Sequence, residues 1–357
     1  MTPREHVRLA DHTTLGLGGE ARYWAEAERE ADIPAAAAWA RQQGLPWMPL
    51  GGGSNVLASD AGYDGLILHL ALPGVRELGG GRVEAAAGED WDGFVAWCVA
   101  RGLAGLECLS GIPGTVGATP VQNVGAYGQE VAETIQSVRA WDRQAEAWVE
   151  LPASACGFGY RSSRFQPGKG RFVIAAVRFA LRPGGAAALR YPELRRQFPD
   201  PAAAPSLSEV REAVRAIRRG KAMLIEPGDP ECRSAGSFFK NPVVSEAAAA
   251  ELARRLGAAP PQFPAAAGQV KLPAAWLIEQ AGFHKGYRPA GSGVGLSRRH
   301  VLAIVNYGSG TAAAVAALAG QIQSAVAAKT GIALHPEPVW LGPAAGGVGA
   351  EGYQPRR

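Results

Sequence analysis

The chain has 357 residues, 47% of them hydrophobic and 19% charged, with a formal net charge of +4. That length allows two or three domains, and the apolar content excludes an intrinsically disordered chain. The mild basicity suits a small anionic substrate and argues against a nucleic-acid binder, because no basic block stands out.

In chain order, Arg4, Glu5, Arg8 and Asp11 charge the N-terminus, so no signal peptide is expected. Helix patterns cover residues 32–43, 90–101, 207–219, 246–256 and 273–281, and strand patterns cover 65–70, 82–86, 134–141, 172–181, 300–306 and 338–341. Ser206 with Glu209 forms a capping box, Ser245 is a candidate N-cap, and Pro273 suits a first helical turn. Arg211, Arg215, Arg218 and Arg219 make the densest basic cluster, read as a solvated helix face. Residues 311–331 are alanine-rich, but Gln321, Gln323 and Ser324 interrupt them while Val315, Leu318, Ile322 and Val326 keep helical spacing. An amphipathic surface helix follows, not a membrane span of roughly 18–20 apolar residues, and the protein is expected in the cytoplasm. Strands and helices mix without regular alternation, which predicts an α+β fold.

Cys98, Cys108, Cys156 and Cys232 lie far apart, with neither metal-ligand spacing nor a disulfide framework. Three glycine-rich segments could carry chemistry. Residues 50–57 (LGGGSNVL) offer backbone donors for a pyrophosphate or form a tight turn. Residues 110–128 hold five glycines, two prolines and no charge, and either wrap a cofactor or form a buried connection. Residues 286–295 read more simply as a turn. No G-x-G-x-x-G opens a helix, no phosphate-binding G-x-x-x-x-G-K-[ST] occurs and no G-x-S-x-G elbow is present. Any dinucleotide must be held by another fold.

The polar candidates are few. Arg161 in GYRSSR could clamp a carboxylate or phosphate, or be a solvated arginine. Ser237, between Gly236 and two phenylalanines and near Lys240, could transfer a proton in a dry site, or be a turn serine. Glu337 is flanked by prolines that fix its backbone, which suits an aimed carboxylate as well as an exposed strand start.

Taken together, TLGLGGEA (14–21), GGGSNVL, IPGTVGATPVQNVGAYG, GYRSSRF, AGSFFKNPV, VKLPAAWLIE, GVGLS and HPEPV occur in order along nearly the whole chain. The set resembles the UDP-N-acetylenolpyruvoylglucosamine reductase family. That resemblance implies a flavin-binding fold of the vanillyl-alcohol-oxidase type with a C-terminal substrate-binding α+β domain. The implied divisions are 1–70 with strand 337–343, then 71–222, then 223–336, with 344–357 as a flexible tail. Noncovalent FAD is implied on Gly51, Gly52, Gly53, Ser54 and Asn55, and on Ser110, Gly111, Pro113, Gly114, Gly117, Ala118, Gln122, Asn123, Gly125 and Tyr127, with Arg161.

By the same resemblance, NADPH is the reductant and UDP-N-acetylglucosamine enolpyruvate the substrate. Arg161 and Glu337 match the pair that stabilises an enolate-like state, for which Glu337 must be protonated or hydrogen-bonded through a neighbour, and Ser237 matches the general acid. A free serine is a poor acid, so we expect a relay through Lys240 or water to support it. Tyr127, Tyr191, Lys221, Asn241 and Lys271 are substrate-binding candidates, and LRYPEL (189–194) resembles the tyrosine loop of the longer subtype. No metal and no nucleic-acid, membrane or oligomeric partner is expected. Two alternatives stay open: another flavin oxidoreductase of this fold, with Cys108 as a possible attachment point, or a silent UDP-sugar-binding protein.

Overall fold

A computed structural model describes residues 2–166, 170–200 and 204–343. The tail at 344–357 therefore lies outside the described residues.

Arg4–Arg8, Glu20–Ala27, Tyr63–Leu70 and Trp47–Leu50 form a four-stranded sheet in that spatial order, the first pair antiparallel and the others parallel. Neither of its first two strands is visible in the sequence pattern. Arg4–Arg8 is a mostly exposed edge, where charges discourage pairing with another chain. Glu20–Ala27 is built from helix-favouring Glu, Ala and Arg, and its pairing on both sides overrides that preference. Tyr63–Leu70 is buried almost throughout because both faces are covered: Leu66, Leu68 and Leu70 face one core cluster, Tyr63 and Ile67 another.

A second sheet is antiparallel, in the order Ala147–Pro152, Ile135–Asp142, Phe172–Ala180, Arg82–Ala86, Val75–Gly79. The helix Trp91–Ala100 packs beside it through Trp91, Phe94 and Val95, with Asp90 capping its start by accepting from the Gly93 N–H at 2.7 Å. Val83, Ala85, Phe179 and the leucines of the first sheet share one continuous core with this helix.

The third region gathers the small sheet of Val243–Ser245, Gln269–Lys271 and Phe263–Pro264, the pair Val294–Leu296 with Ile304–Asn306, and helices Glu246–Leu256, Ala274–Gln280 and Ala312–Thr330. The expected strand at 300–306 is shorter because Ser297 turns the chain first. Its hydroxyl accepts from the Arg299 and His300 N–H groups at 3.0 and 3.3 Å. Pro273 stands one place before the helix, not inside it, and Asn241 Oδ1 accepts from the Ala274 N–H at 2.9 Å.

Leu15, Leu17 and Leu57 belong to the third region's core. Asp60 caps the Ala312–Thr330 helix by accepting from the Ala312 and Ala313 N–H groups at 2.7 and 2.9 Å. Asn306 Nδ2 donates to the Leu15 carbonyl at 3.0 Å. Finally, Val339–Leu341 runs back to pair in parallel with Val56–Ala58. The third region is thereby sewn to the first along a buried seam, and Glu337 is delivered next to the first glycine loop.

Candidate functional site

Both long glycine segments border one cleft of about 1010 Å³. That is the upper end of the range of about 300–1,000 Å³ usual for a single drug-sized ligand. Residues 51–55 leave strand Trp47–Leu50 at the cleft floor. At Gly53 φ is +60° and a Cβ would lie 1.9 Å from the His12 carbonyl oxygen, so only glycine fits. A Cβ on Gly52 would come within 2.9 Å of the Gly114 Cα, and one on Gly51 within 2.6 Å of Thr115 Oγ1. The absence of side chains is what lets the two loops touch.

The second loop is pinned from behind. The Trp91 N–H donates to the Gly114 carbonyl at 3.0 Å, Val116 to Glu89 at 2.9 Å and Gly117 to Ala87 at 3.0 Å. The Gly111 peptide is clamped at both ends: its N–H donates to Asp92 Oδ1 at 2.6 Å, and its carbonyl accepts from Arg218 Nε at 2.9 Å. Asp92 also takes ion pairs from Arg211 and Arg215. The cluster read as a solvated helix face thus turns inward at Arg211, Arg215 and Arg218, since a carboxylate and a carbonyl there supply their bonds. Arg219 alone of the four stays at the surface, paired with Glu226.

Gly51–Asn55, Pro113, Gly117, Ala118, Gln122, Gly125, Tyr127 and Arg161 line the cleft. Ser110, Gly111, Gly114 and Asn123 stand behind its wall. Ser110 spends its hydroxyl on the Glu107 carbonyl at 2.7 Å, and buried Asn123 bonds Glu130 at 2.8 Å and the Gly159 carbonyl at 3.1 Å. The cradle fits a dinucleotide: the loops close too tightly for any Cβ, and the buried Thr115 Oγ1 and Gln122 Oε1 in the cleft wall have no partner of their own. A buried polar atom of that kind is costly unless a ligand satisfies it. Cys108 cannot tether such a ligand. It is fully buried outside the cleft wall, donates to the Ala188 carbonyl at 3.1 Å, and burial pushes its thiol up.

Arg161, Ser237 and Glu337, far apart in sequence, meet in this cleft. Arg161 Nε lies 3.2 Å from Glu337 Oε1, with both side chains largely buried. The Glu337 N–H donates to the Phe238 carbonyl at 2.8 Å, so the segment carrying Ser237 is laced to the one carrying Glu337. Asn55 Nδ2 and Gln122 Nε2 both donate to the Glu337 carbonyl, at 3.2 and 3.0 Å. Asn55 therefore aims the glutamate with its amide. Lys240 does not line the cleft wall; its backbone N–H donates to the His335 carbonyl at 3.0 Å, and no hydrogen bond joins its ammonium to Ser237. The relay suggested through it is not supported.

Tyr127, Tyr191, Lys221, Asn241 and Lys271 line the same cleft. Tyr127 and Tyr191 meet edge to face at 5.5 Å, and Lys221 Nζ sits 5.8 Å from the Tyr127 ring. Burial pushes the Tyr127 hydroxyl up to about 12. Lys271 lies over the Tyr160 ring at 4.6 Å, and burial holds its pKa below the ordinary lysine value. Tyr127, Arg161 and Ala222 all line the cleft with φ between 48° and 54°, while Asn123 supports it with φ 44°. Such strain collects where surrounding structure imposes a geometry for function.

Sequence reasoning missed Tyr160, Arg218 and His300 in the wall, and took Thr115 only as part of the loop around it. Tyr160 adjoins Arg161 and was legible by proximity alone. His300 had no signal: it was read as a strand residue, and only the turn at Ser297 brings it inward. Its imidazole is pushed down to about 4, first by burial and then by the charges of Lys221 and Lys285.

Comparisons with known proteins agree with one another. Residues 229–341 match the UDP-N-acetylenolpyruvoylglucosamine reductase C-terminal domain, and residues 21–149 match an FAD binding domain. The chain is 45% identical over 350 residues to the UDP-N-acetylenolpyruvoylglucosamine reductase of Saccharopolyspora erythraea, covering 95% of each chain. It is 47% identical over 348 residues to that of Nocardia farcinica, covering 96% of this chain and 90% of the relative. The crystal structure of the enzyme from Thermus caldophilus superposes with a TM-score of 0.66 at 26% identity, over 95% of this chain and all of that one (100%).

Proposed function

The chain belongs to the UDP-N-acetylenolpyruvoylglucosamine reductase family, and from that premise we propose how its cleft does this family's work. The protein is an FAD-dependent oxidoreductase that uses NADPH to reduce UDP-N-acetylglucosamine enolpyruvate to UDP-N-acetylmuramate, a peptidoglycan precursor.

Bound FAD supplies the hydride that is added to the enolpyruvyl group. Residues 51–55, with the Thr115 N–H, would hold its pyrophosphate on backbone donors, since the Val116, Gly117 and Ala118 N–H groups are spent on backbone carbonyls, and Thr115 and Gln122 offer the polar atoms that lack partners. Arg161 stabilises the negative charge that develops on the enolpyruvyl carboxylate, and Glu337, which positions the guanidinium, adds to that stabilisation only in its protonated form. Their 3.2 Å contact fixes the guanidinium through Nε and leaves its outer nitrogens for the substrate. Ser237 Oγ delivers a proton to the carbon next to that carboxylate. With Lys240 outside the wall, water entering the cleft is the relay that recharges the serine.

At the rim, Tyr127, Tyr191, Lys221, Asn241 and Lys271 bind the nucleotide sugar, with the segment around Tyr191 as the tyrosine loop of the longer subtype. Return of Val339–Leu341 to pair with Val56–Ala58 supports assigning 1–70 and 337–343 to one flavin-binding part, 71–222 to the other and 223–336 to the substrate part. We also propose a monomer working in the cytoplasm. Every candidate group comes from one copy of the chain, and among the described residues no helix is long and apolar enough to cross a membrane.

The convergence of Arg161, Ser237 and Glu337 on the cleft that the glycine loops border carries this reading. Ser237→Ala tests it. NADPH should still bleach the flavin at the normal rate, while reoxidation by the enolpyruvyl substrate slows by roughly 10²–10⁴-fold. Equal loss in both half-reactions would remove Ser237 from the proton-donor role.

A further inference from the structure

Lys221, which lines the cleft, is paired with a carboxylate that does not itself line it. Its Nζ lies 2.5 Å from Glu193 Oε2, with side chains 28% and 33% exposed. A partly exposed ion pair of this kind adds little to stability. Its place is more informative than its strength.

Glu193 sits in the short helix Pro192–Arg195, directly after Tyr191. Leu194 in the next position is fully buried against Cys108, Tyr127, Val210 and Val214. Upstream, the Ala188 peptide is held at both ends, its N–H by Glu107 Oε1 at 2.9 Å and its carbonyl by Cys108 Sγ at 3.1 Å. Glu107 is itself fully buried and accepts from the Gly105 N–H and Gln129 Nε2 at 2.7 and 2.8 Å. The backbone bearing Glu193 is therefore anchored on both sides. Lys221, on a flexible four-carbon stem at the end of helix Leu207–Gly220, is the partner able to move.

We propose that Glu193 is a positioning residue that stands in for the ligand's phosphate: it holds Lys221 when no ligand is bound and competes with the diphosphate for it when one is. This rests on the reading of Lys221 as a diphosphate contact. Substrate and product carry the same diphosphate, so a lysine committed wholly to it would retain the product as firmly as it captures the substrate. A fixed carboxylate behind the lysine offsets that attraction and recaptures the ammonium as product leaves. Glu193 thus acts through Lys221 and sets affinity and release, not chemistry.

The FAD-loaded enzyme is titrated with UDP-N-acetylmuramate, read by the flavin spectrum, alongside steady-state kinetics on the enolpyruvyl substrate. Glu193→Gln should tighten Kd by about two- to fivefold, lower KM with it and leave kcat unchanged or reduced, as expected for an ion pair of this exposure. Glu193→Asp, which keeps the charge, should return Kd to near wild type. In a Lys221→Ala background the Glu193→Gln change should have no effect, which a merely structural role would not predict. Weaker or unchanged binding in Glu193→Gln at wild-type flavin content would overturn the proposal, as would tightening that persists without Lys221. If Lys221→Ala alone binds UDP-N-acetylmuramate like wild type, the assignment of Lys221 fails, and the proposal fails with it for that separate reason.

Discussion

The proposed flavin side and the proposed substrate side of this cleft are built by opposite means. On the flavin side, residues 51–55 and 113–118 meet backbone to backbone and are pinned to the strand and helix behind them. At the rim, Tyr127, Tyr191, Lys221, Glu193 and His300 meet through rings and charges on side chains. Steric contact is all-or-none, whereas ring and ion contacts are graded and adjustable. The flavin side should therefore fail abruptly when altered, and the rim by degrees.

The hardest way to break the comparison is Gly53→Ala. Its Cβ would meet the His12 carbonyl oxygen at 1.9 Å in a left-handed conformation, so the loop must move. We expect protein purified without FAD and activity below about 0.1% of wild type, with strain of order 1–3 kcal/mol at that residue alone. A yellow, active Gly53→Ala enzyme would show that the flavin side also yields by degrees.

Between the two sides stand Arg161 and Glu337. Arg161→Lys keeps the charge but loses the fork that Glu337 Oε1 fixes at 3.2 Å. Flavin content and NADPH oxidation should stay normal, while kcat for the enolpyruvyl substrate falls about 10²–10³-fold, as for a lost electrostatic donor. A change confined to KM would move Arg161 from the chemistry to binding.

This division also explains what the sequence disclosed. Steric necessity leaves a mark, since a loop that tolerates no Cβ must be glycine. The runs at 51–53 and 111–117 were therefore visible, as was the family set around Ser237. A side chain whose role depends on its partner leaves none. Nothing near Arg211 or Arg215 announces Asp92, more than a hundred residues earlier, so the helix looked solvated although it faces inward. Glu193 and His300 were silent for the same reason. In the fold, strands defined by burial were legible, as at Phe172–Ala180, while Glu20–Ala27 was not, because its helix-favouring residues are strand only by virtue of their neighbours.

At the rim, Lys221→Ala should raise KM for the enolpyruvyl substrate by about 10–100-fold, the range of one charge-assisted hydrogen bond, with kcat nearly unchanged. FAD content should not alter. A loss of FAD here would mean that the rim and the flavin side are one mechanical unit.

The smallest effect is a pH dependence carried by His300. Its imidazole sits at about 4 in the folded protein, through burial and then Lys221 and Lys285, and near 6.5 when unfolded. The unfolded chain thus binds this proton more tightly. Stability associated with the neutral ring is fully present above roughly pH 6.5 and is lost as pH falls from there toward about 4, by some 2–3 kcal/mol at most. Between pH 7 and pH 4.5, the Tm of His300→Gln should fall a few degrees less than that of wild type. Burial also depresses His12 and His69, so both proteins will lose stability on acidification, and the difference between them is the measure of His300. Lys221→Ala then sharpens the point. With that neighbouring charge removed, the His300 pKa should rise toward its ordinary value and the acid-sensitive window should narrow from its lower edge. A window unmoved by loss of Lys221 would show burial alone setting the imidazole, and the rim would be less coupled electrically than its geometry implies.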